Sequence, residues 1–159
     1  MKRKQLIGLP VVDKTTGRIL GRVSEVWYEP GNKRLSGLFF SGTGLLGRQQ
    51  CVSLSDILVL GEHSVIVRHD APTKAGRMAS VIHARVCAQD GSFWGRVGDI
   101  IIEPATGAVR AMLVERSLTD DLLHGCMRLD NLSSVTWNDG KVVIVSEDAV
   151  ASVSNMERM

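Results

Sequence analysis

Several things that would narrow the function of this chain are scarce or missing in its sequence. Its three cysteines, Cys51, Cys87 and Cys126, are an odd number with no Cys-x-x-Cys pair. That excludes a disulfide framework and leaves reduced, mostly buried thiols as the expectation. Charge of one sign is also lacking: nineteen Lys and Arg against seventeen Asp and Glu leave a net charge of +2. A basic stripe of the kind that phosphate backbones require is not there, which argues against nucleic acid as a partner. No run approaches the eighteen or so apolar residues of a spanning helix, so no membrane span is expected. Lys2-Arg3-Lys4 before Leu6 to Val12 imitates a signal peptide until Pro10 and Asp13 interrupt it. It reads as a solvated terminus on a cytoplasmic chain. A Gly-x-Ser-x-Gly elbow is missing too, and with it one signature of serine hydrolases.

What is present is the composition of a folded protein, 44% hydrophobic and 23% charged, and a stretch written twice. Gly17-Arg-Ile-Leu-Gly21-Arg22-Val23-Ser-Glu25-Val26-Trp-Tyr-Glu29-Pro30 matches Gly91-Ser-Phe-Trp-Gly95-Arg96-Val97-Gly-Asp99-Ile100-Ile-Ile-Glu103-Pro104 at a constant offset of 74. The match continues through Leu35/Val109 to Phe40/Val114. A fixed offset means one supersecondary unit used twice. A unit of roughly 75 residues buries only about 60% of its unfolded surface, so packing of one unit on the other is expected.

Taken in order, Leu6 to Val12 reads as a strand entering a turn at Asp13-Lys-Thr-Thr-Gly17. The second strand, Arg18 to Glu29, has its strongest repeated apolar pair at Val23 and Val26, matched by Val97 and Ile100. A separation of three is wrong for a flat strand, where faces alternate by two. The β-branched content and the following proline turn favour an inserted residue over a helix. A bulge is therefore predicted near Ser24-Glu25 and again near Gly98-Asp99. Pro30-Gly-Asn-Lys33 and Pro104-Ala-Thr-Gly107 are hairpin turns. Strands follow at Leu35 to Ser41, Cys51 to Leu54, Leu58 to Leu60 and Ser64 to Val67, with a loop over 42–50, making six strands and no helix. The expected organisation is a first barrel over 1–70, a linker over 71–77, a second barrel over 78–147 opening with Met78 to Cys87, and a tail over 148–159. In that tail Val150 and Val153 sit at helical spacing.

The bent Gly-Arg-Val-x-Glu/Asp-Val/Ile strand, the Glu-Pro hairpin and the Val-Ser-Leu-Ser-Asp56-Ile57 corner together resemble a PRC-barrel domain, in two tandem copies. That family is named from the cytoplasmic domain of the photosynthetic reaction-centre H subunit and from the C-terminal domain of a ribosome-maturation factor. The resemblance implies an all-β fold of two small six-stranded barrels that act as docking modules or adaptors. It carries no shared catalytic motif, and some members look linked to sporulation or to membrane-associated complexes.

Four constellations bear on chemistry. Gly42-Thr-Gly44-Leu-Leu-Gly47 fits the Gly-x-Gly-x-x-Gly fingerprint, but Arg48-Gln-Gln-Cys-Val-Ser-Leu after it is strand-like, so a barrel loop is expected in place of a dinucleotide site. Glu25 and Glu29 with Asp99 and Glu103 offer paired carboxylates for acid/base work, against the plainer reading that they flank turns and pair with Arg22 and Arg96. His124-Gly-Cys126, with Cys87 and Asp120-Asp121, guarantees at most two zinc ligands, so a buried cysteine shared by positions 51 and 126 is the preferred account. Leu45-Leu46 and Leu122-Leu123, in the loops joining strands three and four, read as caps of their own barrels, as partners of one another between the two units, or as exposed contact patches. Of Trp27 and Tyr28 only one can point inward.

The resulting expectation is a non-catalytic interaction module with no catalytic, cofactor or metal site. It docks a protein partner or a second copy of itself through Leu45, Leu46, Leu122, Leu123 and the outward member of Trp27/Tyr28. An RNA- or ribosome-associated factor and a metal-binding or hydrolytic enzyme stand as alternatives.

Overall fold

The structure, a computed structural model, describes residues 1–44, 47–76, 80–116, 127–130, 132, 135–138, 141–144 and 150–151. It divides into two compact units. The first comprises Met1–Tyr28, Arg34–Ser80 and Ile102–Ala108; the second comprises Glu29–Lys33, Val81–Ile101 and Val109–Met159.

The first sheet is built from β1 (Pro10–Asp13), β2 (Ile19–Trp27), β3 (Gly37–Gly42), β4 (Gln49–Ser53), β5 (Ile57–Leu60), β6 (Val65–Val67) and β7 (Lys74–Ala75), in the spatial order β5-β6-β1-β2-β3-β4-β7. Its pairings are antiparallel except β1 with β6. The predicted bulge is there: Val23 pairs with Phe40 and Glu25 with Phe39, so Ser24 is the extra residue. With that insertion Val23 and Val26 both turn inward and are buried, and Phe40, Leu38, Val11, Val52, Val65 and Val67 complete the core. β3 lies mid-sheet and buries four consecutive residues, Gly37 to Phe40.

The described strands do not close into a barrel, and they number seven where six were expected. β5 and β7 are the two ends of the sheet and do not pair with each other. The seventh strand falls inside 71–77, expected as a linker: Lys74 and Ala75 pair with Cys51 and Gln50 and cover part of the outer edge of β4. Leu6 to Val12 is not one strand either. Arg3–Leu6 is a helical turn, α1, and Gly8 at a φ of 87° redirects the chain before β1 begins at Pro10.

The second sheet is built from β8 (Arg85–Ala88), β9 (Phe93–Glu103), β10 (Ala108–Glu115), β11 (Met127–Leu129), β12 (Val135–Asn138), β13 (Lys141–Ile144) and β14 (Val150–Ala151). Its order, β12-β13-β8-β9-β10-β11-β14, repeats that of the first. Val150, expected at helical spacing in the tail, lies instead in β14, which pairs with β11 as β7 pairs with β4. An isolated edge leaves backbone groups unpaired, and the segment after each repeat returns to satisfy part of it.

Candidate functional site

The repeated residues form a framework before they form a site. Glu25 is buried, and its Oε1 accepts the Val26 N–H at 2.9 Å, a donor next to the bulge. Asp99 does the same for Ile100 N at 2.8 Å in the second sheet. In the first sheet the bulge disrupts the ladder and a carboxylate one residue along takes up a backbone donor, and the acid at the equivalent place in the second sheet takes up the donor of the residue that follows it. The rest of Glu25 is held by Arg3, whose Nε and Nη2 donate to Oε1 and Oε2 at 2.5 and 2.7 Å, and by Ser80 Oγ at 2.9 Å. Arg3 was expected in a solvated terminus and instead supplies the charge that a buried carboxylate requires.

The expected pairing of Arg22 and Arg96 with these carboxylates is not formed. Arg22 is exposed while Glu25 is buried. The Arg22 guanidinium donates through Nη1 to the Gly8 carbonyl at 3.1 Å, and that of Arg96 to the His83 carbonyl at 3.1 Å. Gly8 and His83, at φ of 87° and 69°, are equivalent reversals ahead of the first strand, so the repeated arginine ties that reversal to its neighbour. Glu29 and Glu103 accept turn bonds through their carbonyls, from Asn32 N and from Thr106 and Gly107 N.

After β3 ends at Gly42, Gly42 N donates to Arg48 O at 3.1 Å and β4 begins at Gln49, so the described residues there include no helix to receive a pyrophosphate. Leu45, Leu46, Leu122 and Leu123 lie outside the described residues, as do His124, Cys126 and Asp120-Asp121. Cys51 and Cys87 are free thiols of intermediate burial. Among the described residues no three His, Cys, Asp or Glu side chains converge to hold a metal. Tyr28 is buried, so Trp27 is the outward member of the pair; it is half-buried, its ring 5.9 Å from that of Phe39.

A polar groove of about 300 Å³ opens in the first unit, among Asp13, Arg18, Thr43, Gln50, Asp70 and Thr73 over Leu20 and Phe40. Asp13 Oδ1 accepts the Thr15 and Thr16 N–H groups at 2.8 and 2.9 Å, and His69 Nδ1 stands 3.0 Å from Oδ2. The Thr16 N–H contributes most to holding the Asp13 carboxyl down at about 2, with His69 and Thr15 acting in the same direction against partial burial. His69 Nε2 faces Asp70 Oδ2 at 3.3 Å. With a carboxylate on each ring nitrogen, the imidazole has no free nitrogen to act on a bound molecule. Sequence reasoning missed this cluster because 56 residues separate its members and Asp13 reads as ordinary turn chemistry.

The first sheet also exposes apolar surface. Leu58 and Val59 on β5 are 47% and 46% exposed. Beside them Leu54, Ile57, Leu60 and Pro104 to Gly107 line a shallow groove. No described helix is long and apolar enough to cross a membrane. No curated protein matches the chain. The family model for the PRC-barrel domain matches residues 1–72.

Proposed function

We propose, from the premise that residues 1–72 are a PRC-barrel domain, a small β-domain, that this protein is a non-catalytic adaptor docking a protein partner on the open side of its first sheet. Strand β5 carries the reading. It ends the sheet, so its outward N–H and C=O groups meet no further strand among the described residues, and its exposed side chains are aliphatic. An extended segment adds to such an edge by main-chain bonds, and neighbouring pockets select its side chains. The register shift between Ile57 and Val59 bends the edge, which blunts indiscriminate pairing and favours a shaped partner. Leu45-Leu46, Leu122-Leu123 and Trp27 belong to the same docking proposal, and a second copy of this chain is the simplest alternative occupant. The cytoplasm is the proposed compartment.

Replacing Leu58 and Val59 together by lysine removes the apolar edge while leaving β5 at the surface. The variant should melt like the parent and lose its partner in pull-downs from cells. Retention of the same partner would contradict the reading. So would partners released from the parent by nuclease, which favour the RNA-associated alternative. Serine at Leu45 and Leu46, or at Leu122 and Leu123, tests those loops in the same assay.

A further inference from the structure

In the second sheet Arg85 lies directly opposite Arg96, and both are exposed. Like charges at facing positions on adjacent strands are destabilising, so the pair costs the fold something. The repeat does not demand it. In the first sheet Pro10 faces Arg22, and a single arginine suffices for the bond to the Gly8 carbonyl. Arg96 makes the equivalent bond through Nη1 alone.

The exposed ring of Phe93 accompanies the pair, with Arg85 Cζ 4.9 Å and Arg96 Cζ 6.0 Å from its centroid. Ring contacts of this kind hold guanidiniums in place without neutralising them. No ion pair joins either arginine to a carboxylate among the described residues. The acid of the connecting turn, Asp90, spends its Oδ1 on Ser92 N and Oγ at 2.9 and 2.6 Å. Where Phe93 stands opposite Cys87, the first sheet has Ile19 opposite Val12.

We propose that Arg85, Phe93 and Arg96 seat an acidic, partly apolar segment of the docked protein, with carboxylates bridging the two guanidiniums and an apolar side chain on the ring. This rests on the docking reading above and names the chemistry of the partner. Guanidinium–carboxylate pairing converts the unfavourable like-charge contact into charge-assisted hydrogen bonds. An isolated pair on a chain of net charge +2 suits a short acidic motif better than a long phosphate backbone, which needs an extended basic track.

The test is fluorescence anisotropy on the full chain with a labelled peptide alternating glutamate and leucine, beside a lysine–leucine peptide and oligothymidylate. The variants Arg85→Gln and Phe93→Ser change exposed side chains, and circular dichroism should show them folded. The acidic peptide should bind alone of the three, more weakly as salt rises, and about tenfold more weakly to either variant. Failure of the acidic peptide to bind overturns the proposal, as does equal binding by parent and Arg85→Gln. Tighter binding of oligothymidylate that depends on Arg85 also overturns it. The Leu58/Val59 experiment is read separately: partner loss there without peptide binding here removes the acidic seat and leaves the docking reading standing.

Discussion

Glu25 shows how one side chain can hold a fold together and still be misread from sequence. Its acidity and its repeat partner Asp99 are visible in the text of the chain, and the bulge beside it follows from the three-residue spacing of Val23 and Val26. Its counter-ion is not visible, because Arg3 lies 22 residues away and is brought in only by the α1 turn. Removing one partner of a buried pair leaves the other uncompensated. Glu25→Ala should therefore cost about 3 kcal/mol in urea denaturation, and Arg22→Ala, which removes one exposed bond to a carbonyl, about 1 kcal/mol or less. Asp13 makes a pH prediction. Its folded pKa is lowered from 3.8 to about 2, so its contribution is present above the unfolded value and is lost as pH falls through that window. Asp13→Asn should flatten the stability curve between about pH 4 and pH 2, read from urea midpoints across that range.

The β2 strand explains why glycine recurs at one place in both copies. A Cβ on Gly21 would sit 2.0 Å from Ser41 O, and one on Gly95 2.3 Å from Glu115 O, so β2 and β9 each approach a carbonyl too closely for any side chain. Both obstacles are backbone and cannot swing away. Gly21→Ala should cost about 3 kcal/mol of stability, whereas alanine at Gly44, just beyond β3, meets no atom of the described residues within 4 Å and pays only for its φ of 106°. Most strand and turn positions along the chain were legible because alternation, bulge spacing and proline turns are local signals. β7 and β14 were not: two residues that join an edge carry no periodicity, and Lys74-Ala75 within a Pro- and Gly-containing stretch looks like connection.

At the level of the whole molecule, duplication was readable and closure was not. Repeats show themselves at a fixed offset, but whether a sheet of short strands meets its own edge depends on twist and strand number, which no residue states. The first compact unit also takes Ile102–Ala108 from beyond the residues that match the family model. Within it Leu35 N donates to Gly107 O at 3.0 Å, Ile102 N to Met1 O at 2.7 Å, and Ile102 is fully buried. A chain ending at Ser80 lacks those bonds and that side chain, so it should melt about 10 °C below the full-length protein by calorimetry. Docking on an unclosed side is the central functional claim, and site-specific photocrosslinking from position 58 in living cells addresses it most directly. The account predicts one dominant protein adduct that vanishes when Val59 is also changed to lysine. Absence of any protein adduct at position 58, with the chain folded and abundant, would contradict it.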